Sequence, residues 1–254
     1  MISSIIQVGD TFPCIVHDIE IIYTLTTYKC RHGMNFIFML LKLFSQEGVT
    51  LTIDSTAATI DWAMAEILRH PICLHKLQRE LDHLNNVSSK LDCQDMVNQS
   101  HLDKLPYLRA VVNETLRLHI PLPTLIPHKS TRACQVGGYN IPKDTCLFVN
   151  VWAITRDPSI WGNSHEFKPE RFLNKNNPIN VHVKNIEVLP FGIGRRGCPG
   201  YHFALSIIEL TLSNMLYKFD WRLPHGKDID MSEKRITTIS RKEPLMIIPI
   251  LRHR

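Results

Sequence analysis

A mainly α fold with small β-sheets is what this sequence predicts, and three observations carry it. Apolar residues recur at helical spacing in runs near residues 49–70, 71–84 and 199–218. Short strand-like pieces flank the pair Gly137-Gly138, which is the chemistry of a tight hairpin turn. Prolines gather between these runs, at 121–127 and through 155–190, where no helix continues.

The elements follow in chain order. Residues 1–44 hold short apolar runs broken by Cys, His, Lys and Tyr, and carry no clear pattern. From Val49 to His70, Ile53, Ala57, Ile60, Met64 and Ile67 recur at 4-3-4-3 spacing, a buried stripe. Pro71 ends that helix. Leu74, Leu77, Leu81 and Leu84 then mark a second one, with Glu80 and Asp82 on the wet side. Residues 85–100 are polar and predict a mobile loop. Pro106 opens a third helix, Tyr107 to His119, because a first-turn proline lacks only an N–H that would be orphaned anyway. Cys134-Gln-Val and Tyr139-Asn-Ile predict a hairpin, and Thr145 to Val151 a further strand. Residues 155–190 form a long loop, a kind that usually serves function. The last helix spans about Pro199 to Lys218, with Leu205, Ile208, Leu212 and Met215 inward, and Ile236 to Ile250 predict a β hairpin.

Composition narrows the classes. The 254 residues suffice for one large domain or two small ones, and 44% hydrophobic with 21% charged residues suits a globular chain. A formal charge of +5 is too mild for nucleic acid but could favour an acidic protein partner. The seven cysteines are scattered, without a Cys-x-x-Cys pair, which argues for reduced thiols and a cytosol-facing chain. The most apolar stretch, Asn35 to Phe44, is about half the ~20 residues a membrane span needs and contains Lys42. The opening Met-Ile-Ser-Ser-Ile-Ile-Gln lacks the basic region of a secretory signal.

The most informative segment is Phe191-Gly-Ile-Gly-Arg-Arg-Gly-Cys-Pro-Gly200. It sets one cysteine, Cys198, in a glycine-rich bend, two residues after Arg196 and just before a helix. Cations and a helix N-terminus favour a thiolate over a thiol, and glycines let backbone approach a flat ligand closely. A lone thiolate suits haem iron, where it pushes electron density toward O–O cleavage. The same residues match Gly-x-Gly-x-x-Gly, with Asp220 about 20 residues on, as in a dinucleotide fingerprint. That reading fails because Pro190 interrupts the required central strand and too little chain follows for a βαβ unit. Two more patterns are weak alone. Glu114 and Arg117, at i and i+3, read first as a surface ion pair worth under about 1 kcal/mol. Phe167-Lys-Pro-Glu-Arg171-Phe172 reads as a loop.

Together, Glu-x-x-Arg, then Pro-Glu-Arg-Phe about 50 residues later, then Phe-x-x-Gly-x-Arg-x-Cys-x-Gly resemble the cytochrome P-450 superfamily of haem-thiolate monooxygenases. Asp61-Trp-Ala-Met-Ala-Glu66 and Leu118-His-Ile-Pro-Leu-Pro make the wording similar to its plant microsomal branch. The likeness covers about residues 49–250. It implies residues 1–48 as an unassigned leader and 49–254 as the C-terminal haem-binding part of a fold about twice this length, apparently truncated.

The resemblance implies a role for each matching position. Cys198 would bind the iron of haem b, with Phe191 packed beside the sulfur and Gly194 and Gly200 shaping the bend. Arg196 and His128 would meet the propionates. Glu114, Arg117 and Arg171 would form a buried structural triad behind the haem. On the distal helix the family carries a small pair, an acid and an alcohol. Here Leu51-Thr52-Ile53-Asp54-Ser55-Thr56 keeps the acid–alcohol pair in Asp54 and Ser55, the candidate catalytic residues for proton delivery. Leu51-Thr52 replaces the small pair, and a β-branched residue there crowds the oxygen site. Ile60, Leu122 to Ile126 and Thr237 to Ser240 would line an apolar pocket for a lipophilic substrate.

The implied reaction inserts one oxygen atom from O2 into that substrate. Its electrons come from NADPH through a flavoprotein reductase, at the cytosolic face of the endoplasmic reticulum membrane. Arg195, Lys175 and Lys184 flank the cysteine side and could meet an acidic reductase surface. Two alternatives stay open. One is a haem-binding relative of isomerase or dehydratase type that does not use O2, favoured by Thr52. The other is a non-catalytic product of a truncated gene.

Overall fold

The computed structural model describes residues 46–87, 96–173, 188–224, 228–235 and 238–252. Residues 1–45 of the leader, Lys175, Lys184 and Thr237 lie outside the described residues; the last three leader residues begin the first helix. From Ile53 onward the elements form one compact unit.

Four long helices carry the core. Helix α1 runs Gln46–Arg69, α2 Pro71–Val87, α3 Pro106–Leu118, and a short 3-10 helix, Gln99–Lys104, precedes α3. Met64 and Ile67 of α1, Leu77 and Leu81 of α2, and Leu108, Val111 and Leu116 of α3 are almost wholly buried. They pack in one cluster with Leu205, Ile208, Leu212 and Leu216 of the last long helix, Tyr201–Lys218. Each such aliphatic side chain stabilises the fold by about 1.5–3 kcal/mol when fully buried.

The sequence-based stripe on α1 needs correction. Ala57 is exposed, while Ala58, Thr59, Trp62 and Glu66 are buried. His119, just after α3, meets Glu66, and the strand Ile239–Arg241 meets Trp62 and Asp61, so the buried surface of the helix exceeds a narrow aliphatic line and includes polar groups. Glu80, expected on the wet side of α2, is half-buried instead. Its carboxylate accepts from the backbone N–H groups of Tyr107 at 2.7 Å and Leu108 at 2.9 Å. Leu105 at the N-cap of α3 has no side-chain acceptor, so the orphan donors of the first turn are met from a neighbouring helix. Burial pushes the Glu80 pKa up, against the pull of those two N–H bonds.

Small two-stranded sheets complete the fold. Strands β1, His128–Lys129, and β4, Cys146–Leu147, pair antiparallel. Strands β2, Cys134–Val136, and β3, Tyr139–Ile141, form the expected hairpin. Gly137 and Gly138 close it with φ of +55° and +85°, the left-handed region that glycine enters without a Cβ penalty. The strand expected over 145–151 shortens to β4, and Val151–Ile154 turn as a short helix, α4. The last long helix is therefore α5. Strand β5, Phe219–Arg222, follows it directly.

The tail does not fold as one hairpin. Strand β6, Glu233–Arg235, pairs with β7, Ile239–Arg241, while β8, Ile248–Leu251, returns to pair with β5. A smaller apolar cluster of Ile120, Val151 and Leu189, with Leu125 and Val149 packed on it, lies where the segment after α3 meets the segment before the cysteine loop.

Candidate functional site

The cysteine loop is built by its backbone. Gly192 takes φ of +69° and Gly194 +75°, which a residue with a Cβ adopts only under strain. Gly194–Arg196 make a single 3-10 turn, closed by Gly197 N–H to the Gly194 carbonyl at 3.0 Å. A Cβ on Gly197 would meet that same oxygen at 3.3 Å. The Cys198 N–H donates to the Phe191 carbonyl at 2.8 Å, so both ends of the loop are tied together under the thiol. Gly200 caps α5 two residues later. The thiol of Cys198 is exposed, at the mouth of that helix.

Around it the surface is apolar with a cationic edge. A Cβ at Gly192 would lie 3.8 Å from Leu125 Cδ1, so the loop rests on the segment that leads into β1. Ile126, Ile193, Leu147 and Phe148 are exposed there. His128 lies on β1 opposite Leu147. The side chains of Arg195, Arg196 and His128 are exposed and make no side-chain hydrogen bond or ion pair among the described residues. An exposed thiol, a bare apolar surface and unengaged cations are the donor set of a flat, apolar, dianionic ligand. These residues fit one wall of a haem site; Cys198 stands on an open face, not inside an enclosed cavity.

Between α3 and the 155–173 segment is a buried ion network. Glu114 and Arg117 are both 0% exposed, and the surface reading of this pair is overturned. Arg117 donates to Glu114 through Nε at 2.8 Å and Nη2 at 2.9 Å, a two-pronged bond. Arg171 Nε reaches the same carboxylate at 3.0 Å, and the Lys168 N–H at 2.8 Å. Arg117 Nη1 donates to the carbonyls of Thr155 at 2.8 Å and Ser164 at 2.7 Å. Arg171 reaches those of Gly162, Asn163 and Glu166. Trp161 offers its ring to both guanidinium groups, 5.2 Å from Arg117 and 5.8 Å from Arg171. Sequence reasoning did not single out this tryptophan, because Arg117 lies far from it in sequence. Arg156 donates to the Leu118 carbonyl and lies over Trp152. Burial, aided by repulsion from Arg117, lowers its pKa to about 10, so it keeps its charge at neutral pH.

The remaining candidates sit on α1. Asp54 is exposed and Ser55 half-buried, and the Ser55 carbonyl accepts from Thr59 Oγ1 at 2.8 Å. Thr238 to Ser240 sit at the turn into β7, and the Ile239 N–H donates to the Pro121 carbonyl at 2.9 Å. The structure thus joins the triad residues in one network, sets Cys198 and Phe191 in one loop, and ties the 121–126 segment to both that loop and the tail.

Comparison with known proteins decides the family. The cytochrome P450 family model matches residues 50–249. The chain belongs to the cytochrome P450 family. Among curated relatives, a 3-beta-hydroxylase of Tanacetum parthenium is 43% identical over 215 residues, covering 84% of this chain and 42% of that protein. Cytochrome P450 71B24 of Arabidopsis thaliana is 44% identical over 214 residues, again 84% of this chain and 42% of the relative. A zebrafish cytochrome P450 structure with progesterone superposes with a TM-score of 0.67 at 30% identity, covering 78% of this chain and 42% of that one. These plant relatives and the superposition agree with a P450 fold of the plant microsomal type, of which part is present. The chain spans about two-fifths of the length of the curated relatives it matches. No helix among the described residues is long and apolar enough to cross a membrane.

Proposed function

We propose that this P450 chain is the C-terminal haem-binding part of a haem-thiolate monooxygenase, with Cys198 as the iron ligand. The observation that carries the reading is the exposed Cys198 thiol, tied through its own N–H to Phe191 at the mouth of α5. Haem, when bound, supplies the one-electron and O2 chemistry that places one oxygen atom on a substrate.

The chain's own residues do the rest. The loop fixes the sulfur at the N-terminus of α5. Arg196 and His128 hold the propionates, Arg196 by its planar fork. The Glu114–Arg117–Arg171 network holds the 155–173 segment rigid. Asp54 and Ser55 pass protons from solvent toward the oxygen side of α1. Exposed Arg195, with Lys175 and Lys184, receives an acidic NADPH-dependent flavoprotein reductase. The substrate is a lipophilic small molecule. The apolar surface at Ile126 and Leu147 supports this, as does the zebrafish cytochrome P450 structure with progesterone. Work at the cytosolic face of the endoplasmic reticulum follows from the microsomal relatives.

A second reading, a haem protein that does not activate O2, rests on Leu51-Thr52. Reduced chain under carbon monoxide tests the first claim. We expect the thiolate-type Soret band in the parent and its loss in Cys198→Ser; a band retained in the variant refutes the ligand assignment. NADPH consumption matched by oxygenated product then separates the two readings, and absence of haem uptake by the parent supports a non-catalytic product.

A further inference from the structure

We infer that Trp62, backed by His119 and Glu66, is a specificity-positioning residue that fixes the two pocket-lining segments, 122–126 and 238–240, at a set spacing from α1. The inference rests on the monooxygenase reading for the pocket, and on the following contacts for the anchor.

Trp62 has no exposed surface. Its indole stacks on the His119 imidazole with centroids 4.0 Å apart and planes within 6°. Its N–H points at the Ile239 carbonyl, 3.4 Å away. The Ile239 N–H in turn donates to the Pro121 carbonyl at 2.9 Å. One residue of β7 is therefore gripped on both sides, by α1 and by the segment that follows α3. The imidazole is itself held. His119 Nε2 lies 2.7 Å from Glu66 Oε1, and Glu66 is nearly buried. The other ring nitrogen, Nδ1, is buried with no hydrogen-bond partner among the described residues.

A second tie lies alongside. Arg241 of β7 is buried, donates to the Asp230 carbonyl at 2.8 Å and faces Asp61 of α1 at 3.6 Å. Burial pushes the Asp61 pKa up and Arg241 pulls it back. Ser55, Thr59, Trp62 and Glu66 fall at i, i+4, i+7 and i+11, one face of the helix. The strip that grips the two segments therefore continues, two turns toward the N-terminus, into the strip that carries Ser55. A change at Trp62 shifts both pocket walls relative to that hydroxyl and leaves the cysteine loop alone.

Trp62→Phe tests this. It keeps an aromatic ring on His119 and removes the indole N–H. Loss of one hydrogen bond predicts about fivefold faster amide exchange at Ile239. In the haem-loaded chain, affinity for N-dodecylimidazole should change by a similar factor, because the alkyl tail must fit between the walls. Affinity for imidazole, which needs only the iron, should stay within about twofold on the same scale of effects. Asp61→Asn should move both readouts in the same direction, and it decides the matter if Trp62→Phe does not fold. Unchanged exchange at Ile239, or equal losses for both azoles, overturns the inference. If the parent takes up no haem, the monooxygenase reading fails separately, and exchange at Ile239 alone decides the anchor.

Discussion

Glu114→Gln is the sharpest test of the buried network. The carboxylate accepts four hydrogen bonds: from Arg117 Nε and Nη2, Arg171 Nε and the Lys168 N–H. Three of them converge on Oε1, which a glutamine oxygen reproduces. The fourth is Arg117 Nε to Oε2 at 2.8 Å. In the variant an NH2 group occupies that position and points hydrogens at a guanidinium N–H. Shape is preserved, but two guanidinium groups lose the one carboxylate that pairs with them among the described residues, one of them wholly buried and the other 11% exposed. Removing one partner of a buried ion pair costs about 3–5 kcal/mol, because the remaining charge stays desolvated. The upper part of that range applies here, since a donor is also turned against a donor. Urea unfolding followed by tryptophan fluorescence measures it, with Trp161 reporting from the network itself. A midpoint shift equivalent to less than about 1 kcal/mol, the ceiling for exposed pairs, would refute the reasoning.

Three further outcomes are expected. Cys73 is buried, and burial raises its pKa to about 11, so at pH 8 about one thiol in a thousand is ionised. Mass-resolved alkylation should label exposed Cys134, Cys146 and Cys198 well before Cys73. The sign for stability follows: a pKa raised on folding contributes stability that is complete below 9.0 and lost as pH climbs through about 11. A Cys73→Ala chain should lose less stability than the parent across that interval in pH-dependent urea melts. Glu80→Ala leaves the Tyr107 and Leu108 N–H groups without their acceptor, a loss of about 0.5–2 kcal/mol, as for other helix caps. Equal urea midpoints for this variant and the parent would show that water caps α3 equally well.

The cysteine loop was legible because its constraints are local. Glycines at positive φ, the following helix start and the single cysteine all fall within ten residues. The Gly137-Gly138 hairpin was legible for the same reason. Glu114, Arg117 and Arg171 could be paired only by resemblance, because a three-residue spacing alone describes a surface ion pair as well as a buried one. What decides burial is Trp161 and a ring of backbone carbonyls, more than 35 residues away in sequence. Glu80 was misplaced for a related reason. Nothing near it marks it as a cap, although Leu105-Pro106 announces a helix start with no acceptor of its own. The tail was misread because β8 returns to β5 across 26 or more residues, and pairing at that distance leaves no local trace.

The same contrast explains how the chain divides its labour. Positions that would touch haem, Cys198, Arg196 and His128, are each exposed. The interior positions are buried and heavily bonded, as at Glu114 and Arg117, or stacked, as buried Trp62 on half-buried His119. Rigid support beneath an open face is how a site keeps its geometry before the ligand arrives. It also orders the expected damage. Substitutions in the open face should change ligand spectra while leaving unfolding midpoints nearly unmoved. Substitutions in the support should lower the midpoint first and alter the spectrum only through it, with Trp62 the exception that shifts ligand-size preference ahead of both.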